Sequence, residues 1–337
     1  MQAAYSIGAV VAVAVVAAIA GQLAGGRTIA WIIVPYAALA VFLAGFCYRV
    51  AHWAASPVPF RIPTTCAQQK SLPWIRPGRL DNPSTLAGVL GRMGLEVLLF
   101  RSLFRNNDAR LNQGRLVVSE AKYLWLAALA FHWSLLMILV RHLRLLVEPV
   151  PALLLAMERI DGFFQAGVPP VYLSDVVFAC ALAYLLARRF RDATVRYISQ
   201  FSDYFALFVF AGIAITGLLM RYLTRVDVVS VKQFALGLAT FHPQRPSALG
   251  LIFAVHLGMV SVLAAYFPFS KLMHMGGVFL SPTRNLANNN RAKRHVNPWN
   301  YPVKTHTYAE WEEEFRDKLK GADLPLEADH AARASAD

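Results

Sequence analysis

Four of the nine histidines in this chain of 337 residues lie in apolar surroundings. His132 and His142 stand ten residues apart in FHWSLLMILVRHLRLL, and His256 and His274 stand eighteen apart, on or just past a later apolar run. An imidazole in hydrocarbon must find a partner or destabilise the fold, so polar groups within such runs point to function by default. On a helix, ten residues rise about 15 Å, while eighteen rise about 27 Å over about five turns, which returns both side chains to one face. Each stretch thus offers one histidine toward either membrane surface. If the two helices are antiparallel, His142 meets His256 and His132 meets His274. Two such stacked pairs are what two bis-histidine haems require, each iron taking one imidazole nitrogen from either side and keeping no open position. That chemistry suits electron transfer. The rises differ by about 12 Å, and Pro268, lying between His256 and His274, can supply a kink. A proton relay of histidines, as in a transporter or channel, stays open as the alternative, as do four unrelated polar residues. His52 and His242 read as satisfied polar groups, and His295, His306 and His330 as surface residues.

The elements that must carry these residues are helices in a bilayer. Hydrophobic residues make up 57% of the chain, and a bilayer core of about 30 Å takes about 20 helical residues per crossing. Six runs approach or reach that length, 5–24, 28–50, 123–147, 171–187, 204–223 and 248–267, the fourth being the shortest. They lack the alternation of strands and are rich in Ala and Leu. The expected fold is all-α, a polytopic bundle of six transmembrane helices. The first run has no Lys or Arg before it, so a retained helix is expected in place of a cleaved signal. Cys47, Cys66 and Cys180 are scattered, with no C-x-x-C, and indicate no disulfide framework, iron–sulfur cluster or covalent c-type haem.

The net charge of +13 does not call for nucleic acid, because Lys and Arg excess marks the cytoplasmic segments of a membrane protein. With six helices and the N-terminus inside, the inner segments hold 25 of the 33 Lys and Arg residues. Arg188-Arg189-Phe190-Arg191, beside the fourth run, is the close-in part of that bias. Both termini are expected on the cytoplasmic side of the cytoplasmic (inner) membrane.

Four regions follow: 1–55 with the first two helices, 56–120 as a cytoplasmic loop, 121–280 with the remaining helices and the paired histidines, and 281–337 as a cytoplasmic tail. The loop opens with a Pro-rich stretch, where each Pro removes a donor and restricts its neighbour. STLAGVLGRMGLEVLLFRSLF, residues 84–104, is helix-compatible with Ser84 as N-cap, and it is expected to lie in the membrane interface or against a partner subunit. The tail carries Trp299, Tyr301, Tyr308, Trp311 and Phe315 among its charges, and a helical stretch is expected over 308–320. Aromatics and Arg are enriched where proteins dock, so the tail is expected to bind a cytoplasmic partner.

The ten/eighteen histidine spacing resembles the gamma subunit of respiratory nitrate reductases, a five-helix dihaem cytochrome b family that oxidises quinol. The resemblance covers helices two to six, with the first helix as an addition. In that pattern the inner histidine of the first pair shares a haem with the last, which corresponds to His132 with His274 and His142 with His256. The stretch KLMHMGGVFLSPTRNLANNNRAKRHVNPWNYP further resembles the DsrM family, the cytochrome b subunits of membrane complexes tied to dissimilatory sulfite reduction. That resemblance implies two haems b, menaquinol or menaquinone as substrate, and a DsrK-like cytoplasmic iron–sulfur subunit similar to the catalytic subunit of heterodisulfide reductase. Larger versions add a periplasmic multihaem cytochrome c, a periplasmic iron–sulfur protein and a second membrane subunit. Menaquinol oxidation is expected near the outer haem (His142, His256), with electrons stepping on by way of the inner one (His132, His274). Arg141 and Arg144 are placed to meet the propionates of the outer haem and Lys271 those of the inner, with membrane-interface anchoring as their other reading. Glu158, Arg159 and Asp161 are the nearest polar candidates for the quinone. A transporter would instead place charges deep in several helices, whereas Asp175 and Asp203 lie near run ends.

Overall fold

The computed structural model describes residues 1–23, 28–56, 70, 74–76, 78–162, 169–244, 249–289 and 305–327. Most of the Pro-rich stretch, together with Arg27, Cys66, Arg245, His295, Trp299, Tyr301 and His330, lies outside the described residues. The chain divides into two units, Met1–Ser56 with Phe60–Lys293, and Pro57–Pro59 with Arg294–Asp337.

The first unit is helical apart from one hairpin. Helix α1, Gln2–Gln22, is followed by α2, Ile29–Ala55, which starts with a π-helical turn over Ile29–Ile33. Helix α3, Leu86–Leu99, is capped by Thr85, whose side chain accepts the Gly88 N–H at 3.3 Å, one residue later than the Ser84 cap expected. Phe100, at φ 51°, breaks the expected single helix and starts the short α4, Arg101–Phe104. Strands β1, Asn107–Asn112, and β2, Arg115–Glu120, then form an antiparallel hairpin that the sequence reading did not foresee. Its turn places Gln113 and Gly114 at φ 50° and 78°, the positive pair that matches the twist of a two-residue hairpin.

Helix α5, Lys122–His142, ends in a 3-10 turn, Leu143–Leu145. After it come the amphipathic α6, Ala152–Asp161, then α7, Leu173–Arg191, and the short α8, Ala193–Ile198. Helix α9, Phe201–Leu218, closes in a π-helical turn, Leu219–Leu223, and is followed by the amphipathic α10, Val228–Ala239. Helix α11, Leu251–Tyr266, runs into a 3-10 turn, Phe267–Phe269. Ser270 is extended and caps a second 3-10 turn, Lys271–Met273, before α12, His274–Leu280, and α13, Pro282–Asn285.

Five of these segments are long and apolar enough to cross a membrane: α1, α2, α5 with its 3-10 turn, α9 with its π turn, and α11. The fourth run forms a helix of 19 residues but is not among them, since α7 carries Asp175 in its first turn and Arg188, Arg189 and Arg191 in its last. Those charges suit a helix macrodipole, acid at the N-terminus and base at the C-terminus. Helix α5 packs on α7, α7 on α9, α9 on α11, and α11 on α2. Helix α1 lies against α9 and α11, so the first run is an integral part of the bundle. Small residues allow that approach: a Cβ on Gly258 would stand 2.6 Å from the Ala17 Cβ. Ser6, fully buried on α1, donates to the Gln2 carbonyl at 2.9 Å and reaches the Phe201 carbonyl at 3.0 Å.

Phe131, Phe178, Ala181, Leu182 and Phe210 fill the space between α5, α7 and α9, with Leu263 and Leu272 packed against them. Around the chain reversal, Arg49 donates to the Pro268 carbonyl at 3.1 Å, and a Cβ on Gly45 would come within 2.6 Å of the Pro268 ring. The break at Pro268 is therefore embraced by α2.

In the second unit, α14, Tyr308–Gly321, begins with a reciprocal capping box of Thr307 and Glu310. Tyr308, Trp311 and Phe315 stack along it with ring centroids 5.6 and 5.7 Å apart.

Candidate functional site

The two histidines of α5 follow a shared local rule. Each ring turns back along its own helix, so that His132 Nδ1 lies 2.7 Å from the Ala128 carbonyl and His142 Nδ1 lies 2.7 Å from the Ile138 carbonyl. His274, at the start of α12, does the same with the Lys271 carbonyl at 2.7 Å. A carbonyl only accepts, so Nδ1 carries the proton in all three rings, and Nε2 presents its lone pair. His256 reaches the same tautomer by another route. Its Nδ1 is 2.9 Å from Thr216 Oγ1, and that hydroxyl already gives its own proton to the Gly212 carbonyl at 2.7 Å. The hydroxyl oxygen is therefore the acceptor. Among the described residues, no hydrogen bond involves the Nε2 atom of any of the four.

One pair of rings meets directly, and the other two histidines are electrostatic neighbours. His132 and His274 have ring centroids 5.9 Å apart with planes at 83°. His256 has His142 as its ionisable neighbour. The second member of each set lies on a later element, and the order is reversed, as antiparallel helices demand. His256 and His274 lie on separate helices, so the rise of an unbroken helix does not apply between them. Pro268 ends the α-helical ladder, Ser270 interrupts it with an extended residue at φ −116° and ψ 175°, and two tight 3-10 turns complete the reversal. The rise of about 27 Å belongs to an unbroken helix, and the segment between His256 and His274 is not one. Phe100 and Phe131 present ring edges to His132 at centroid distances of 5.0 and 5.3 Å. The αL residue that breaks α3 from α4 thus closes over the inner pair.

A charged and aromatic lattice surrounds the end of α5 next to His142. Arg141 pairs with Asp161 at 2.9 Å, too bent for a hydrogen bond, donates to Asp175, and donates to Ser174 at 3.0 Å. Asp161 is buried and accepts the Ser174 amide at 2.8 Å and hydroxyl at 2.6 Å. Arg144 pairs with Glu158 at 2.5 Å, and Glu158 also accepts the Tyr172 hydroxyl. The Arg141 and Arg221 guanidiniums lie 3.8 and 3.9 Å from the Tyr172 ring centroid. Tyr222 completes the lattice by donating to Asp175 at 3.1 Å and accepting the Tyr172 amide at 3.1 Å.

The site residues expected from sequence therefore fall into distinct settings. Arg141 and Arg144 are engaged with protein carboxylates, and Lys271 donates to Asp203 at 2.7 Å. Glu158 and Asp161 join the lattice, whereas Arg159 is exposed. Sequence reasoning missed Thr216, Tyr172, Arg221 and Tyr222. Thr216 was detectable as a hydroxyl within an apolar run, but its partner lies forty residues away. Asp175 was noted only as a charge near a run end.

The Asn288 amide donates to the Pro83 carbonyl at 2.7 Å, and Arg284 pairs with Glu96 at 3.1 Å. Residues 281–289 are thereby tied to α3, beside the element that carries His274.

Comparison with known proteins gives the chain its relatives. The family model described as nitrate reductase gamma subunit matches residues 104–291. A relative from Archaeoglobus fulgidus, named Hdr-like menaquinol oxidoreductase cytochrome b-like subunit, is 44% identical over 275 residues, covering 80% of this chain and 82% of the relative. A protein of the same name from Archaeoglobus profundus is 44% identical over 272 residues, covering 79% and 81%.

Proposed function

The chain belongs to the nitrate reductase gamma-subunit family, and on that premise we propose that it is the dihaem cytochrome b subunit of a membrane respiratory complex. It exchanges electrons between menaquinol or menaquinone and a cytoplasmic iron–sulfur subunit of DsrK type, in dissimilatory sulfur metabolism. The names of the Archaeoglobus relatives support the quinone and the membership of a complex. The bundle crosses the membrane six times in this reading, with α7 as the fourth span and both termini inside.

One observation carries the proposal: four imidazoles with one shared tautomer, in two crossed pairs, each presenting Nε2. Two imidazoles are too few for a bare ion such as zinc, which takes four ligands. Among the described residues, no cluster of three or more His, Cys, Asp or Glu could hold a metal ion. Two imidazoles do suffice for an iron that brings four ring nitrogens of its own. A metal–imidazole bond is about 2 Å, so ring centroids roughly 6 Å apart suit an iron between them. His132 with His274 would hold the inner haem, and His142 with His256 the outer.

When bound, the two b haems supply one-electron redox chemistry within the bilayer. The chain's own residues fix the rest. Nδ1 hydrogen bonds to carbonyls and to Thr216 lock ring orientation and raise the basicity of each ligand. Phe100 and Phe131 pack against the His132 ring and restrict its rotation. At the outer end Glu158, half-buried between Arg144 and the Tyr172 hydroxyl, is the carboxylate placed to accept a quinol proton. Asp161 is locked by Arg141 and Ser174 and serves as a strut. The surface made by α3 and residues 281–289 is where the iron–sulfur subunit docks, close to His274.

Redox difference spectroscopy and low-temperature paramagnetic resonance of the purified chain test this reading. Two b-type centres with low-spin bis-imidazole signatures are expected. A purified, folded chain without haem would remove it and favour the histidine relay.

A further inference from the structure

Arg221 differs from every other buried cation at the outer end of the bundle. Arg141 is neutralised by Asp161 and Asp175, and Arg144 by Glu158. Arg221 is half-buried, and no carboxylate pairs with it among the described residues. Among the described residues its one hydrogen bond runs from a terminal nitrogen to the Pro170 carbonyl at 3.1 Å, and its buried Nε has no partner. Segments 163–168 and 245–248 contain no Asp or Glu. A guanidinium drawn partly out of water without a counter-charge carries a desolvation cost, and stacking at 3.9 Å on the Tyr172 ring offsets part of it.

Its position indicates which anion is missing. Arg221 belongs to the π turn that ends α9, just past the residues that line His256. Thr216 bonds the His256 ring, and a Cβ on Gly217 would stand 3.5 Å from His256 Cε1. Four residues beyond Gly217 is about one helical turn, or 6 Å. The same Tyr172 ring that carries Arg221 also carries Arg141, the residue next to His142. Arg221 is thus joined to both ligands of the outer pair, to His256 through its own helix and to His142 through Tyr172.

We propose that Arg221, in place of Arg141 or Arg144, is the cation that binds a propionate of the outer haem. The guanidinium fork matches a carboxylate in two parallel hydrogen bonds. The π turn has a purpose in this arrangement, because its extra residue rotates Arg221 out of the simple helical sequence of positions and onto the Tyr172 ring. The inference rests on the dihaem reading above. A lipid phosphate has similar anionic oxygens, and the test separates the two sources.

The complex is produced with haem carrying carbon-13 in its propionate carboxyls, and redox difference infrared spectra are compared for wild type, Arg221→Gln and Arg221→Lys. Arg221→Gln is expected to shift the isotope-marked carboxylate bands and lower the midpoint potential of the outer haem only, because a lost cation disfavours the reduced form. Arg221→Lys should recover part of both. Unmoved isotope-marked bands and potentials in Arg221→Gln with both haems present would overturn the proposal, and so would shifts confined to lipid phosphate bands. If Arg221→Gln does not accumulate, Arg221→Lys decides alone, since a lost fork must still move the marked bands. Absence of haem in wild type would instead defeat the underlying reading.

Discussion

Thr216 has the most delicate task of any single residue, because it alone fixes His256 through a side chain where the other three rings use backbone carbonyls. Thr216→Val keeps the shape and removes the acceptor, leaving the His256 Nδ1 proton without a partner. Outer-shell losses of this kind weaken metal binding about 10–100-fold. Haem transfer to a competing apoprotein should therefore speed up for the outer site and stay unchanged for the inner. Equal release from both sites would show that the hydroxyl has no such role. At this scale the sequence displayed the four histidines and hid the groups that hold their rings. Histidine identity and spacing are local, whereas the partners of Arg141 lie 20 and 34 residues away at Asp161 and Asp175, and nothing local encodes them.

At the scale of elements, the interruption at Pro268–Ser270 sets where His274 points. Inserting one alanine between Leu272 and Met273 would turn His274 by about 100–120° relative to α11. The inner haem should be lost and the outer retained, as read by haem content; retention of both would mean that the break absorbs the insertion. Helix α3 and α4 are held by a second device, Asp81, which pairs with Arg101 at 2.5 Å and with Arg105. The hydrogen bond from Arg101, ahead of other causes, holds the Asp81 carboxyl below its ordinary value of 3.8. A lowered folded-state pKa stabilises above the unfolded value and is lost as pH falls through the folded one. The melting-temperature gap between wild type and Asp81→Asn should thus be full at pH 7 and close below about pH 3.8. The stability difference behind that gap should stay small, under about 1 kcal/mol, since the pair is partly exposed. A gap that persists in acid would point to a packing effect.

For the whole molecule, hydrophobic run length made the bundle legible, because a bilayer leaves helices few alternatives. The ends of the elements were less legible. The π turns, the αL break at Phe100 and the hairpin over 107–120 depend on tertiary partners or on short turn signals, and α7 is a helix whose terminal charges keep it from reading as an apolar span. Arg188, Arg189 and Arg191 still argue for an inner end of α7. A fluorescent protein fused after Asp337 should fluoresce, and alkaline phosphatase fused there should be inactive; the opposite result would invert the orientation and exchange the inner and outer assignments.

The central claim is the crossed pairing, and haem stoichiometry in four single variants tests it most directly. His132→Ala and His274→Ala should each drop from two haems per chain to one and lose the same spectral component. His142→Ala and His256→Ala should each lose the other component. If His132→Ala and His142→Ala removed the same haem, or if all four variants kept both, the pairing would be contradicted.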